Sequence, residues 1–169
     1  KPGELLEPVR LSASYLAKQK KVLGSYGYAG QMSQLPSPAE GGMFKAEWWK
    51  RYTDVPPQWQ QVVQSWDMRF GDSKKASSSF VVGQVWGING PQRYLLAQIR
   101  ARLSFTETVQ AVRDMTVTYP ASSVKLIEEK ANGAAVMDTL KREIGGIVAL
   151  NPSGGKDVRA AAASPYVEA

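Results

Sequence analysis

The chain has 169 residues, a formal charge of +6 at pH 7 and an isoelectric point near 9.6, and it contains neither cysteine nor histidine. This composition excludes disulfides, thiolate or imidazole metal sites, and nucleophilic centres of the Ser-His-Asp or Cys-His type. Oxygen atoms remain as metal ligands, and carboxylates that bind Mg²⁺ or Mn²⁺ are the natural candidates. The positive charge fits a polyanionic partner.

No stretch approaches the roughly twenty apolar residues of a membrane span, and no signal-peptide pattern opens the sequence. We therefore expect a soluble protein without a membrane partner. The chain begins Lys1-Pro2-Gly3-Glu4 without a methionine, which predicts that it was cut from a longer protein.

The first 60 residues differ from the rest in composition. Ser12 is a candidate N-cap for a helix that runs to about Leu23, with Gly24 as its stop signal. The segment Gly24–Gly42, rich in Gly, Ser, Pro and Gln, then predicts a connector. An aromatic cluster follows it, consisting of Phe44, Trp48, Trp49 and Tyr52, and Pro56-Pro57 ends this cluster.

Three strands are predicted next, over Gln61–Asp67, Ser79–Ile88 and Gln92–Leu103, with Asn89-Gly90 as a hairpin signal between the second and the third. The third strand alternates between two kinds of side chain, which predicts one buried face and one partly basic face. The buried set is Leu95, Ala97, Ile99, Ala101 and Leu103, and the other set is Leu96, Gln98, Arg100 and Arg102.

Helices and strands alternate in the remainder of the chain. Ser104 and Glu107 form an S-x-x-E capping box at the start of a helix that ends near Tyr119-Pro120. The later predictions are a strand over Ser123–Glu128, a helix over Ala131–Glu143, a short strand over Gly146–Leu150 and a helix that starts with Lys156–Ala163. The order βββαβαβα predicts an α/β fold with a mixed sheet, in which three antiparallel strands are followed by parallel ones and helices flank the sheet.

Acidic residues end two of these strands. Ser65-Trp66-Asp67 closes the first strand, and Ile127-Glu128-Glu129 closes the fourth. A right-handed crossover can bring the fourth strand beside the first in parallel, and ligand-binding groups of open α/β sheets collect at such strand ends. We therefore expect Asp67 and Glu128 to meet at one edge and to share a hard divalent cation.

Three sequence motifs together resemble the large terminase subunit of tailed bacteriophages, whose nuclease part belongs to the ribonuclease H-like superfamily. The first is Gly27–Pro36 with Glu40–Lys45, the second is Ser65-Trp66-Asp67, and the third is Ile127–Gly133. The resemblance covers nearly the whole chain and implies a ribonuclease H-like mixed sheet.

The resemblance also implies a division of labour along the chain. Residues 1–60 resemble the end of the ATPase part and its connector, and residues 61–169 resemble the nuclease, expected to be truncated at its C-terminus. No G-x-x-x-x-G-K-[ST] loop is present, so ATP hydrolysis is not expected. The implied activity is Mg²⁺- or Mn²⁺-dependent cleavage of concatemeric double-stranded DNA by metal-activated water. Implied partners are DNA, the small terminase subunit and the portal, in the cytoplasm of the host cell.

Site residues follow from the resemblance position by position. Asp67 matches the first metal-binding aspartate and Glu128 the second acidic position, with Glu129 as a neighbouring competitor. The family's third acidic motif lies beyond Ala169, and Asp72 and Asp157 are conceivable substitutes for it. Candidate DNA-backbone contacts are Arg69, Lys74, Lys75, Lys156 and Arg159.

Two alternatives remain at this point. The chain can be a non-catalytic DNA-binding or portal-docking fragment that lacks the third metal ligand, in which case it would cleave DNA feebly or not at all. It can also be another nuclease of the superfamily, such as a junction resolvase or a transposase, although neither accounts for the motif at Gly27–Lys45.

Overall fold

A computed structural model describes residues 7–34, 42–68, 80–129 and 131–168. These residues form two compact units, Asp54–Pro152 and Lys1–Thr53 with Ser153–Ala169. Among the described helices, none combines the length and the hydropathy that crossing a membrane requires. The helices are α1 (Ala13–Gln31), α2 (Phe105–Thr118), α3 (Ala131–Leu140) and α4 (Lys156–Glu168), and the strands are β1 (Gln61–Asp67), β2 (Val81–Asn89), β3 (Gln92–Ala101), β4 (Ser122–Glu128) and β5 (Ile147–Leu150).

The unit Asp54–Pro152 is built on a mixed sheet whose described strands have the order β3-β2-β1-β4-β5. The pairs β1–β2 and β2–β3 are antiparallel, whereas β1–β4 and β4–β5 are parallel. The predicted fold class is therefore confirmed, including the crossover that brings the fourth strand beside the first. Because β1 and β4 are parallel, their C-terminal ends lie at the same edge of the sheet.

One face of this sheet carries the hydrophobic core. Along β1, Val62, Gln64 and Trp66 are buried while the intervening residues are more exposed, which is the period of two that a half-covered strand requires. Trp66, only 2% exposed, belongs to the core. The other buried members of the core cluster are Met68, Val81, Ile127, Val109 and Val112 of α2, and Val136, Met137 and Leu140 of α3.

Two glycines of β2 make room for indole rings on this face. A Cβ atom at Gly83 would overlap the ring of Trp66, and a Cβ atom at Gly87 would lie 2.6 Å from the ring of Trp59. Glycine therefore occupies positions 83 and 87 of β2, where the rings of Trp66 and Trp59 lie against this strand. The absence of a side chain at Gly83 lets Trp66 lie flat on β2.

A buried polar network joins β1, α2 and β4. The Gln64 side chain is fully buried, and its amide nitrogen donates to the hydroxyls of Ser122 at 2.8 Å and Thr116 at 3.3 Å. Its carbonyl oxygen accepts a hydrogen bond from the Trp66 indole at 3.0 Å. Because every member has a partner, the network fixes how β1 lies between α2 and β4 without the cost of an unpaired buried polar group.

The predicted pattern of β3 is wrong at Leu95. The register pairs Ile99 with Gly83 and Ala97 with Val85, but it shifts between Val85 and Trp86, so that Leu95 pairs with Trp86. Cross-strand partners share a face, so Leu95 lies on the face opposite to Ala97 and Ile99. A bulge adds one residue to a strand and inverts the alternation beyond it, which a simple period of two does not anticipate.

The unit Lys1–Thr53 with Ser153–Ala169 contains α1 and α4. Ser12 caps α1 as predicted, since its hydroxyl accepts from the Tyr15 N–H at 3.3 Å. Gly24 interrupts the helix with a φ of 66°, but the chain is helical again to Gln31, where a connector was expected. Glu168 explains the restart, because its carboxylate accepts the Ser25 N–H at 2.6 Å and so caps the second half.

Lys125 is the buried cation of β4. Its side chain is 5% exposed, and its ammonium group donates to the carbonyls of Ser122 at 2.7 Å and Gly145 at 3.2 Å. Burial lowers the pKa of Lys125 below its ordinary value of 10.5, because desolvation disfavours the charged form.

This shift predicts a stability change in alkaline solution. Between the lowered pKa of native Lys125 and the ordinary 10.5, the unfolded chain binds more protons than the native protein. The free energy of unfolding should therefore rise with pH across this window. Lys125→Met should remove that rise when urea unfolding is measured at a series of pH values. Lys141→Met is the matched control, because Lys141 is exposed and pairs with Asp138 at 2.9 Å; an identical loss in both variants would contradict the prediction.

Candidate functional site

The ends of β1 and β4 bring Asp67 and Glu128 together. In this parallel pair Trp66 is the partner of Ile127, so the next residues of the two strands, Asp67 and Glu128, are neighbours. Adjacent strands lie about 4.8 Å apart, and partners in register point to the same face. The register thus places Asp67 and Glu128 at the ends of adjacent strands, although they lie far apart in sequence.

These carboxylates lie on the face opposite to α2 and α3. Trp66 and Ile127, one residue earlier on each strand, are buried in the core against those helices, so alternation directs Asp67 and Glu128 to the other side. Asp67 is exposed, whereas Glu128 is half-buried and its Oε1 atom is fully buried. Rigid core packing under both strand ends holds the pair in place.

Glu129, the alternative to Glu128, lies beyond the end of β4. It is exposed, and its backbone N–H donates to the Leu150 carbonyl at 2.7 Å. The helix α3 begins two residues later, and a Cβ atom at Gly133 would overlap the carbonyl oxygen of Glu128. A glycine at 133 is therefore what lets α3 approach the end of β4 closely.

Two adjacent carboxylates repel each other unless a cation or a proton lies between them. Their oxygen atoms are the donors that Mg²⁺ prefers, and a magnesium ion is commonly held by one or two protein carboxylates with water and substrate phosphate as its other ligands. No group of three or more acidic side chains forms a cluster within the described parts of the chain. The pair therefore fits one cation, with only two ligands from these residues.

Apart from Glu129, the other predicted site residues are not among the described residues of the unit Asp54–Pro152. Arg69, Asp72, Lys74 and Lys75 lie outside the described residues. Three more residues, Lys156, Asp157 and Arg159, belong to α4 in the other compact unit. Arg159 donates from its Nη1 atom to the Gly154 carbonyl at 3.0 Å, so it helps to fix the turn before α4.

A basic cluster at the same sheet edge was not among the predicted site residues. Arg100 is the partner of Val82, and Val82 is the partner of Asp67. Both Arg100 and Arg102 lie over the ring of Phe80. The partly basic face of β3 was visible in the sequence, but only the register shows that it shares a row with the carboxylates.

We refer to this line of neighbours as the cross-strand row. It runs across all five described strands on the face away from α2 and α3. Its members are Arg100, Val82 and Asp67, which pair in that order, and Glu128 and Leu150, which pair with each other; the pair Trp66–Ile127 one residue earlier aligns Asp67 with Glu128.

No protein-family model and no curated protein matches the chain. Solved structures of a large terminase from a thermophilic bacteriophage do match it. In its crystal form 3 this terminase superposes with a TM-score of 0.66 at 15% identity, over 93% of this chain and 40% of that protein. The same terminase in complex with ADP gives a TM-score of 0.67 at 13% identity over 95% of this chain and 40% of that one.

The match extends to the complex of that terminase with ATP-gamma-S, with a TM-score of 0.64 at 12% identity, over 95% of this chain and 41% of that protein. The chain therefore has a large-terminase-like fold. It spans about 40% of the length of the terminase that it matches.

Proposed function

We propose that this chain is part of a phage large terminase and that its unit Asp54–Pro152 is a Mg²⁺- or Mn²⁺-dependent endonuclease that cuts double-stranded DNA during packaging. The observation that supports the proposal is the parallel register of β1 and β4, in which Trp66 pairs with Ile127, so that Asp67 and Glu128 are the next residues of adjacent strands. The terminase-like fold supports it, since fold similarity extends over nearly the whole chain.

In this proposal Asp67 and Glu128 hold the cation through their carboxylate oxygens. When bound, the cation acts as a Lewis acid at a phosphodiester and lowers the pKa of a coordinated water. Asp67 is exposed and contributes carboxylate oxygens that face solvent. Glu128 is half-buried and contributes a carboxylate oxygen whose position is more fixed. The absence of cysteine and histidine agrees with a mechanism that uses no protein nucleophile.

The substrate is held through its phosphates. The positive charge of the chain favours a polyanion, and contacts to the backbone position DNA without reading its sequence. We assign such contacts to Arg69, Lys74, Lys75, Lys156 and Arg159. As part of a terminase, the protein would act in the host cytoplasm with the small terminase subunit and the portal.

A second candidate function is a DNA-binding or portal-docking module without catalysis. It is favoured by one observation: no group of three or more acidic side chains occurs among the described residues, whereas a two-metal site usually shares three or more. Under this alternative the chain binds DNA but does not cleave it.

The direct test of the proposal is cation binding. Mn²⁺ titrated into the chain and followed by electron paramagnetic resonance should bind. Asp67→Asn should weaken this binding at least about tenfold, which corresponds to about 1.4 kcal/mol, because a neutral amide lacks the charge that attracts the cation. Asp114→Asn is the matched control, since Asp114 is an exposed residue of α2 that accepts a hydrogen bond from Gln110 at 2.7 Å.

Two results would reject the cation site. One is the absence of Mn²⁺ binding by the unmodified chain, and the other is an equal loss of affinity in Asp67→Asn and Asp114→Asn. Circular dichroism of both variants shows whether each retains the fold.

A further inference from the structure

The cross-strand row places a cation near the carboxylate pair. Arg100 is the partner of Val82, which is the partner of Asp67, so Arg100 lies two strands away from Asp67. Neighbouring strands are about 4.8 Å apart, which gives a separation of about 10 Å between the two backbones. Since partners share a face, Arg100 and Asp67 lie on the same side of the sheet.

An aromatic ring holds Arg100 and Arg102 in place. The guanidinium carbon of Arg100 is 3.6 Å from the ring centroid of Phe80, and that of Arg102 is 4.5 Å from it. Both distances are within the range of about 6 Å for a cation–π interaction. Both arginines are exposed, so contact with the ring restricts two long side chains at the surface.

The arrangement concentrates positive charge. Two guanidinium groups over one ring repel each other, and each is attracted to the ring face. An anion that approaches Arg100 therefore meets a pre-oriented planar donor group, which matches the geometry of phosphate oxygens.

The row of side chains next to the one that contains Arg100 is polar. The next row of the sheet includes Gln98, Gln84 and Ser65, which the register places side by side. Gln84 donates to Gln98 at 2.6 Å and accepts from the Trp86 indole at 3.1 Å. This face can therefore stay hydrated next to a polyanion.

We propose that Arg100 and Arg102, stacked on Phe80, form a phosphate clamp that holds the DNA strand beside the Asp67–Glu128 pair. The proposal rests on the proposed function, because it identifies how the substrate of that site is held. Phosphates of one strand follow each other about every 3.4 Å along the helix axis of DNA, so a strand at the carboxylates presents further phosphates within about 10 Å. The guanidinium fork can bind such a phosphate with two parallel hydrogen bonds.

The test measures DNA binding separately from cleavage. Binding of a fluorescent DNA duplex to the chain is measured in EDTA at several KCl concentrations. Arg100→Gln should lower the affinity and reduce the slope of log K against log[salt] by about 0.9, the value for one lost phosphate contact. Arg100→Lys keeps the charge but loses the planar fork, so it should retain the slope and lose part of the affinity.

Arg93→Gln is the matched control. Arg93 is exposed on the same strand but at its opposite end, where it donates to the carbonyls of Gly90 at 3.0 Å and Gln92 at 3.1 Å. Arg93→Gln removes the same charge as Arg100→Gln, but at a position away from the carboxylates. It should leave the DNA affinity and the slope of log K against log[salt] near those of the unmodified chain. Phe80→Leu, which changes no charge, should lower the affinity by releasing both arginines.

Several outcomes would overturn the clamp: an unchanged slope in Arg100→Gln, an equal loss in Arg93→Gln, or an Arg100 dependence seen with duplex RNA and not with duplex DNA. These results are distinguishable from failure of the nuclease. Loss of Mn²⁺ binding or cleavage with an intact Arg100 effect would reject the nuclease alone, and a normal cation site with no Arg100 effect would reject the clamp alone.

Discussion

Asp67→Asn should reduce Mn²⁺-dependent nicking of supercoiled DNA at least about a hundredfold in a polypeptide that joins residues 1–169 to a segment carrying a third metal-binding carboxylate. The reason is that a cation supplies several kcal/mol of stabilisation to the transition state, and each step of about 1.36 kcal/mol is tenfold in rate. Asp67 is half of the carboxylate pair, and an amide in its place removes the charge without changing its shape. Residues 1–169 alone should nick feebly, because their described part contains no group of three or more acidic side chains that could hold two cations.

The control for this experiment is Asp114→Asn, which makes the same substitution on α2 and should nick like the parent polypeptide. Glu128→Gln should behave like Asp67→Asn, and Glu129→Gln like the control, because the register places Glu128 beside Asp67. Nicking that survives Asp67→Asn would refute the proposed mechanism. Strong nicking by residues 1–169 alone would instead show that another acid completes the site.

Gly83→Ala should destabilise the unit Asp54–Pro152 by about 3 kcal/mol, at the upper end of what overpacking a core usually costs. A Cβ atom at position 83 would occupy the space of the Trp66 ring, which is 2% exposed and cannot move outward without leaving the core. Displacement of the ring would also break its hydrogen bond to Gln64. Urea unfolding followed by tryptophan fluorescence measures the effect.

A double-mutant cycle identifies the cause. In a Trp66→Leu background the ring is absent, so adding Gly83→Ala should cost less than about 1 kcal/mol. Gly145→Ala is the control glycine, because a Cβ atom there meets nothing within 4 Å, and it should change stability by less than about 0.5 kcal/mol. Equal costs of Gly83→Ala with and without Trp66 would show that the close approach is not what requires glycine.

Local patterns in the sequence were sufficient to predict most of the helices and strands of the fold. The capping box is present as predicted, with the Ser104 N–H donating to Glu107 at 2.7 Å and the Glu107 N–H donating to Ser104 at 3.4 Å. The strand Gln61–Asp67 has the predicted bounds, and the hairpin turn contains Gly90 at a φ of 57°. These features depend on residues close together in the chain, so short-range physical chemistry determines them.

Other structural features depended on contacts between residues that lie far apart in the sequence. The bulge that moves Leu95 to the opposite face arises where β3 pairs with β2, and the restart of α1 after Gly24 depends on the Glu168 carboxylate, 143 residues away from Ser25. Neither partner can be read from the neighbouring sequence. Pairing across the sheet and helix capping from a distant segment are tertiary interactions, and they override the local signal.

The sequence by itself determined the kind of chemistry open to this protein: without cysteine or histidine, acidic residues at two strand ends were the natural metal ligands. The tertiary structure decided which acid ends the strand beside Asp67, because the parallel register of β1 and β4 pairs Trp66 with Ile127 and Glu128 is the residue that follows. It also decided that Arg100 shares the cross-strand row. The physical reason is that side-chain identity fixes what a group can bind, whereas strand pairing fixes which groups meet.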